Sequence, residues 1–283
     1  MPDVRESTKT MRLVLTGAKA KAPLEPLKPG MPALDSIRDD KTEFTPVPGG
    51  PTYRIIKTTE VDTYEGAAVT LTKALQGKGA PAASVLAKAA KHPSPTGGDN
   101  FGGTARKAAK LSIATGATEN FNDLSDLIAS LPSIDTMVNR KPKISTASTS
   151  KRVTEENRNV HVNAFLFAAS AEADNDFHLI IGRDPNAGQE MYMTMEISGL
   201  PPAKSPAFAA ISGARTAYKT FFGAANLPGA GYHFYQPPIP VKVDGSLFFD
   251  MTHATGPAPG PPSLKSRMPT IWEVHPISNI KLG

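Results

Sequence analysis

Three histidines and two glutamates in the C-terminal half carry the side chains best suited to chemistry: His178, Glu196, His253, Glu273 and His275. Two imidazoles and a carboxylate suit zinc or another divalent ion, with a metal-bound water as nucleophile. Glu273 and His275 are two residues apart in a strand-like stretch, so alternation sets both on one face and Trp272 and Val274 on the other. In a closed barrel in which the first and fourth strands flank the fifth, His161 or Asp250 would approach that pair. The metal set read this way is His178, His253, Glu273 and His275, drawn from separate segments without H-x-x-x-H spacing. The plainer reading needs no cofactor: the same side chains tie loops to strand ends through the hydrogen bonds that buried polar groups require.

Other residues carry weaker chemistry. Asp174 and Asp176, with Glu172, form an acidic turn whose oxygens suit calcium, yet the following Asp or Asn, Gly and terminal Glu of an EF-hand loop are missing. An ordinary acidic turn is the simpler account, and its carboxylates oppose phosphate at that face. Tyr192, with Phe165, Phe167, Phe248 and Trp272, offers rings for base stacking, or for a core. Lys88, Lys91, Arg106, Lys107 and Lys110 surround a Gly-rich loop and form a basic patch, either a phosphate site or a solvated face. No G-x-x-x-x-G-K-[ST] or G-x-G-x-x-G run accompanies it. Asp250, His253 and Ser246 are close in sequence but lack a G-x-S-x-G elbow. No catalytic residue is assigned.

The elements that must position these groups follow from periodicity. Val160, Val162, Ala164 and Leu166 alternate with His161, Asn163, Phe165 and Phe167, which predicts a first strand. Phe177 to Ile181 and Met191 to Ile197 read as the second and third strands of a meander. The period then changes to about 3.6, with Ser205 as cap, Pro206 at the first helical position, and Phe208, Ile211, Tyr218, Phe221 and Phe222 close to one face. Val241 to Phe249 and Ile271 to Ile280 read as the fourth and fifth strands. The expected fold is mainly β with some α: a C-terminal OB-like five-stranded β-barrel, β-β-β-α-β-β, over 157–283, plus an N-terminal mixed α/β region over 51–140. A polar linker is expected at 141–156 and an extended Pro-rich arm at 1–50. Within the middle region, Thr52 to Ile56 reads as a strand, 64–77 and 82–90 as helices, 105–113 as a short helix, and 120–131 as an amphipathic helix ended by Pro132. An OB-like barrel holds ligands over its second and third strands, flanked by the loops joining strands 1–2 and 4–5. The second of these, Asp250 to Pro269, is long and Pro-rich.

Four stretches, 174–181 (DNDFHLII), 195–201 (MEISGLP), 245–253 (GSLFFDMTH) and 272–276 (WEVHP), together resemble a group of bacterial proteins of unknown function with a C-terminal OB-like domain. The resemblance spans roughly 158–280 and implies a bacterial source; it implies no activity.

Bulk properties narrow the function classes. The 283-residue chain has no cysteine, which removes disulfides, thiolate metal sites and Cys nucleophiles. No apolar run approaches a membrane span and the first residues do not read as a signal peptide, so a cytoplasmic protein is expected. The net charge of +5 is concentrated in the middle of the chain, while the barrel segment is balanced. The first functional expectation is therefore a non-enzymatic binding or structural protein whose barrel recognises a protein, glycan or small ligand through its 1–2 and 4–5 loops. Two alternatives stand beside it: a metal-dependent hydrolase using the His/Glu cluster, and a single-stranded nucleic-acid binder using the basic segment 73–110.

Overall fold

A computed structural model describes residue 32 and residues 36–62, 98–254 and 259–283. The strand-like 12–15, the helices expected at 64–77 and 82–90, and Lys88 and Lys91 lie outside these residues.

Strand outweighs helix. Eight strands, β1 (Ile37–Phe44), β2 (Tyr53–Thr58), β3 (Thr118–Phe121), β4 (Asn159–Ala171), β5 (Phe177–Gly182), β6 (Tyr192–Ile197), β7 (His233–Phe249) and β8 (Trp272–Leu282), form one mixed sheet in the order β1-β2-β7-β8-β6-β5-β4-β3. β7 also pairs with β4. Among the described residues the α-helices are α1 (Lys107–Lys110), α2 (Leu124–Ala129), α3 (Ile134–Val138), α4 (Phe208–Phe222) and α5 (Met251–Ala254). None is long and apolar enough to cross a membrane.

β4, β5 and β6 form the antiparallel meander that their alternation predicts. β8 then inserts between β6, which it meets in parallel, and β7, which it meets antiparallel. That corrects the expectation that the fifth strand lies beside the first: β4 pairs with β3, β5 and β7, not β8. A parallel neighbour needs a long crossover, and α4 with β7 supplies it.

In β4, Val160, Val162, Ala164 and Leu166 all face the core. A bulge between Leu166 and Ala168 then reverses the parity, so Ala169 joins the main core while Phe167 and Ala168 turn to the other face. β7 begins eight residues before the expected Val241 and runs through Pro237, Pro238 and Pro240. The two adjacent prolines are tolerated because neither has a partner in the β4 or β2 ladder: the pairings skip from Ile239 to Gln236.

β1 adds a strand within the stretch 1–50, read from sequence as an extended Pro-rich arm. Its IRDDKTEF sequence has little strand character, and pairing with β2 is what makes it a strand. Phe44 and Tyr53 from this pair meet Phe221 and Phe222 of α4, with Phe44 and Phe222 centroids 5.3 Å apart. Ile211, Ala214, Tyr218 and Phe222 bury the inner stripe of α4. The helix starts at Phe208 rather than at Pro206, Ser205 Oγ accepting from Ala207 N at 3.3 Å just before it, and it stops where Gly223 takes φ 65°. A single apolar cluster joins Phe44, Tyr53, Ile55, Leu124, Leu127, Met137 and Ile144 to the inner residues of β4 to β8.

Residues 141–156, read as a linker, hold two tightly placed side chains. Glu156 has no exposed surface, and Arg152 donates to Ala109 O (2.9 Å), Ser112 O (2.8 Å) and His275 O (2.6 Å).

Asp123 caps α2 by accepting from Ser125 N at 2.7 Å and binds Arg183 through contacts of 2.8 to 3.1 Å. The hydrogen bonds from Arg183 hold its pKa well below the carboxylate norm. A depressed folded pKa stabilises above the unfolded value, and that stabilisation is lost as pH falls through it toward the folded value. Wild type should therefore be more stable than Asp123→Asn at neutral pH, since Asn keeps the cap but not the charge, and the gap in thermal midpoint should close below about pH 4.

Candidate metal centre

Parity within three strands builds the centre. His178 of β5 is paired across from Glu196 of β6, and Thr194 of β6 across from Glu273 of β8. Their sequence neighbours Leu179, Met195 and Val274 point into the apolar core, so His178, Glu196, Glu273 and His275 occupy the opposite face. The β4–β5 turn adds Asp174 and Asp176, and the end of β7 with α5 adds Asp250 and His253. All of these residues are buried.

The side chains converge. His275 Nδ1 lies 2.8 Å from Glu196 Oε2 and 3.6 Å from Glu273 Oε2, while its Nε2 lies 3.4 Å from Asp176 Oδ2. His178 Nδ1 stands 3.5 Å from Glu196 Oε1, and His253 Nε2 stands 3.8 Å from Asp250 Oδ2. Two groups have three ligand atoms within 4.8 Å of one another: Asp176, Glu196 and His275, and Asp250, His253 and Glu273.

A strap from the N-terminal half covers this face. Phe101 N donates to Leu200 O at 3.0 Å and Gly102 N to Asp174 O at 2.7 Å. The crossing is close enough that a Cβ on Gly199 would sit 2.6 Å from Phe101 Cα. Arg106 follows, buried and in the left-handed region at φ 49°, with a two-pronged bond to Glu156 at 2.5 and 2.7 Å. One turn later Lys110 enters the cluster, its Nζ 3.7 Å from Asp174 Oδ2. From the other side, Asp62 Oδ2 lies 3.9 Å from His178 Nε2 and accepts from Gly260 N at 2.7 Å.

Charge is badly out of balance. Among the described residues, Asp62, Glu172, Asp174, Asp176, Glu196, Asp250 and Glu273 bring seven buried or nearly buried carboxyl groups around the ammonium of Lys110. Burial, with the like charges of its neighbours, raises Asp176 and Glu273 well above the carboxylate norm. Burial opposes ionisation of Glu196 too, but His275 and Lys110 hold its pKa well below the norm. Lys110 stays charged: the surrounding carboxylates, Glu196 foremost, outweigh its desolvation. His275 is pushed down by burial, toward the neutral imidazole that a metal requires.

Several of these groups have no hydrogen-bond partner among the described residues: both oxygens of Glu273, Asp176 Oδ2, His178 Nε2 and His275 Nε2. Buried polar atoms rarely stay so. Beside them is a cavity of about 20 Å³ lined by Asp62, Lys110, Glu172, Asp174, His178, Glu196, Asp250 and His253, room for a single ion or water.

The remaining residues singled out from sequence lie elsewhere. Tyr192 is buried edge-on to Phe167, in an apolar patch that Leu264 of the long 250–269 connection covers. Phe248 and Trp272 are likewise buried, which fits packing rather than base stacking. Arg106 and Lys110 do not form a solvated basic face, because each is buried against a carboxylate; Lys107 sits over the Phe101 ring. His161 does not approach β8 but binds Asp244 at 2.5 Å. A larger groove of about 460 Å³, lined in part by Asp123, Arg183, Lys242 and Lys281, contains none of the cluster residues.

Sequence reasoning leaves out Asp62, assigns Glu172 to a calcium turn with Asp174 and Asp176, and places Lys110 in a basic patch. The parity of Asp176 with His178 was a readable signal for Asp176 as a ligand of the same face. Asp62 and Lys110 come from segments with no such period.

Comparison of the chain with protein-family models, with curated proteins and with solved structures finds no match.

Proposed function

We propose that this protein binds a divalent metal ion on the outer face of an OB-like barrel, with Asp176, Glu196 and His275 as ligands. The barrel reading is supported by the ring of pairings β4–β5–β6–β8–β7–β4, by the parallel β6–β8 pair and by the helix between β6 and β7. On that reading the cluster lies across the second, third and fifth strands, with His178 and Glu196 on the second and third. The observation that carries the metal is that Asp176 Oδ2 and His275 Nε2, buried and without a hydrogen-bond partner among the described residues, face one another beside Glu196 in an excess of carboxylates. Ionised carboxylates without a counter-charge are costly inside a protein, and a divalent cation supplies both the charge and the missing partners. Carboxylate oxygens mixed with imidazole suit zinc or manganese.

Recognition of a protein, glycan or small ligand through the loops 1–2 and 4–5 has less support. Asp174 and Asp176 of the first loop lie under the strap, and the second is fastened by Ser263 N and Oγ to Glu60 at 3.0 and 2.8 Å. Nucleic-acid binding through the basic segment has lost Arg106 and Lys110 to internal ion pairs. A hydrolytic role is favoured by one feature: the water-sized cavity beside the ligands, where a metal-bound water would sit next to the Lys110 ammonium.

Protein purified without a His-tag and stripped by chelator should take up zinc or manganese in equilibrium dialysis, and His275→Ala should lose that uptake. Absence of uptake of zinc, manganese and calcium by wild type would remove the proposal. Lys110 shares the field that attracts the ion, and a unit charge at about 4 Å is worth roughly 4 kcal/mol at an effective dielectric of 20. Lys110→Met should thus tighten binding by about tenfold or more, read by competition with a chelating dye.

A further inference from the structure

We infer that the centre is binuclear, with Asp250, His253 and Glu273 holding a second divalent ion beside the one assigned to Asp176, Glu196 and His275. The inference rests on the metal reading above and adds a site to it.

Glu273 is the main observation. It is 1% exposed, and neither carboxylate oxygen has a hydrogen-bond partner among the described residues. Its Oε2 stands 3.6 Å from His275 Nδ1, so the two ligand groups adjoin through neighbouring same-face positions of β8. A carboxylate placed between two ligand groups would be available to an ion at either, the arrangement that two-metal sites use.

Asp250 is prepared for the role by its other oxygen. Oδ1 accepts from Thr252 N at 2.7 Å and from the Thr252 hydroxyl, which fixes the carboxylate and directs Oδ2 toward His253 Nε2 at 3.8 Å. Asp250, His253 and Glu273 are all buried, with one ligand atom of each within 4.8 Å of the others.

The same metal type serves both positions, since each combines two carboxylates with one imidazole.

The test uses the full chain, stripped and then loaded with manganese. Two equivalents bound, with the exchange-coupled multiline electron paramagnetic resonance spectrum of neighbouring Mn²⁺ ions, are expected. His253→Gln and Asp250→Asn should each bind one equivalent and show the simple six-line spectrum. One equivalent in wild type with an uncoupled spectrum would overturn the second site and leave the first standing. No bound manganese or zinc would overturn both. Two equivalents in wild type that persist in His253→Gln and Asp250→Asn would also overturn the assignment, because the second ion would then lie elsewhere. The wild-type measurement stands even if a variant fails to fold.

Discussion

Chelator-treated protein should melt about 5–10 °C below the same protein supplied with zinc or manganese at a hundredfold excess over its dissociation constant. An ion that binds only the folded state stabilises it by about 2.7 kcal/mol at that excess, and each kcal/mol moves the midpoint of a domain of this size by about 2–4 °C. Without an ion, folding must bury Asp176 and Glu273 against like charge and leave both Glu273 oxygens and Asp176 Oδ2 unpaired. Glu273→Gln separates this account from one in which the cluster only ties loops to strand ends. The amide removes a charge repelled by Glu196 and Asp250 at nearly constant shape, so the metal-free variant should be as stable as wild type or more so. It should also lose much of the metal-induced rise. A scan in which metals leave the wild-type midpoint unmoved, and Glu273→Gln is simply destabilised, would favour the loop-tying role.

Much of the sheet was legible because half-buried strands announce themselves with period two. Val160 to Leu166 shows it in sequence and burial and Met193 to Ile197 in sequence alone, β5 and β6 being buried on both faces, and α4 shows the change to a helical period. What stayed hidden was decided by partners distant in sequence. β1 is a strand because β2 offers it a ladder, and the start of β7 passes through prolines because the bulge in β4 leaves them unpaired. The candidate site divides the same way. His178, Glu196, Glu273 and His275 were identifiable from alternation, since each flanks a core position. Arg106 and Lys110 looked like surface charge because sequence reports a charge but not the carboxylate that lets it be buried, and Glu156 lies fifty residues from Arg106. The strap that closes over the cluster was invisible for the same reason.

Glu156→Ala should be the most damaging single substitution, costing about 3–5 kcal/mol and lowering the thermal midpoint by about 10 °C or more. Glu156 has no exposed surface and serves four donors: two on Arg106, Phe249 N at 2.9 Å and Val153 N at 2.8 Å. Its removal strands a guanidinium that is 2% exposed, stacked 4.7 Å over Phe248 and donating to Phe249 O and Lys151 O at 3.2 and 3.0 Å. Replacing both partners, Arg106→Leu with Glu156→Leu, leaves no such charge, so the double variant should recover a large part of the loss in urea denaturation. Stability and metal affinity should then part. Arg106 anchors the strap one turn before Lys110, and Glu156 holds the Phe249 backbone next to Asp250, so the pair fixes a cation and a carboxylate of the cluster from opposite sides. A double variant that regains its stability but binds metal with altered affinity would show that the buried pair positions the centre. Unchanged affinity would confine the pair to folding.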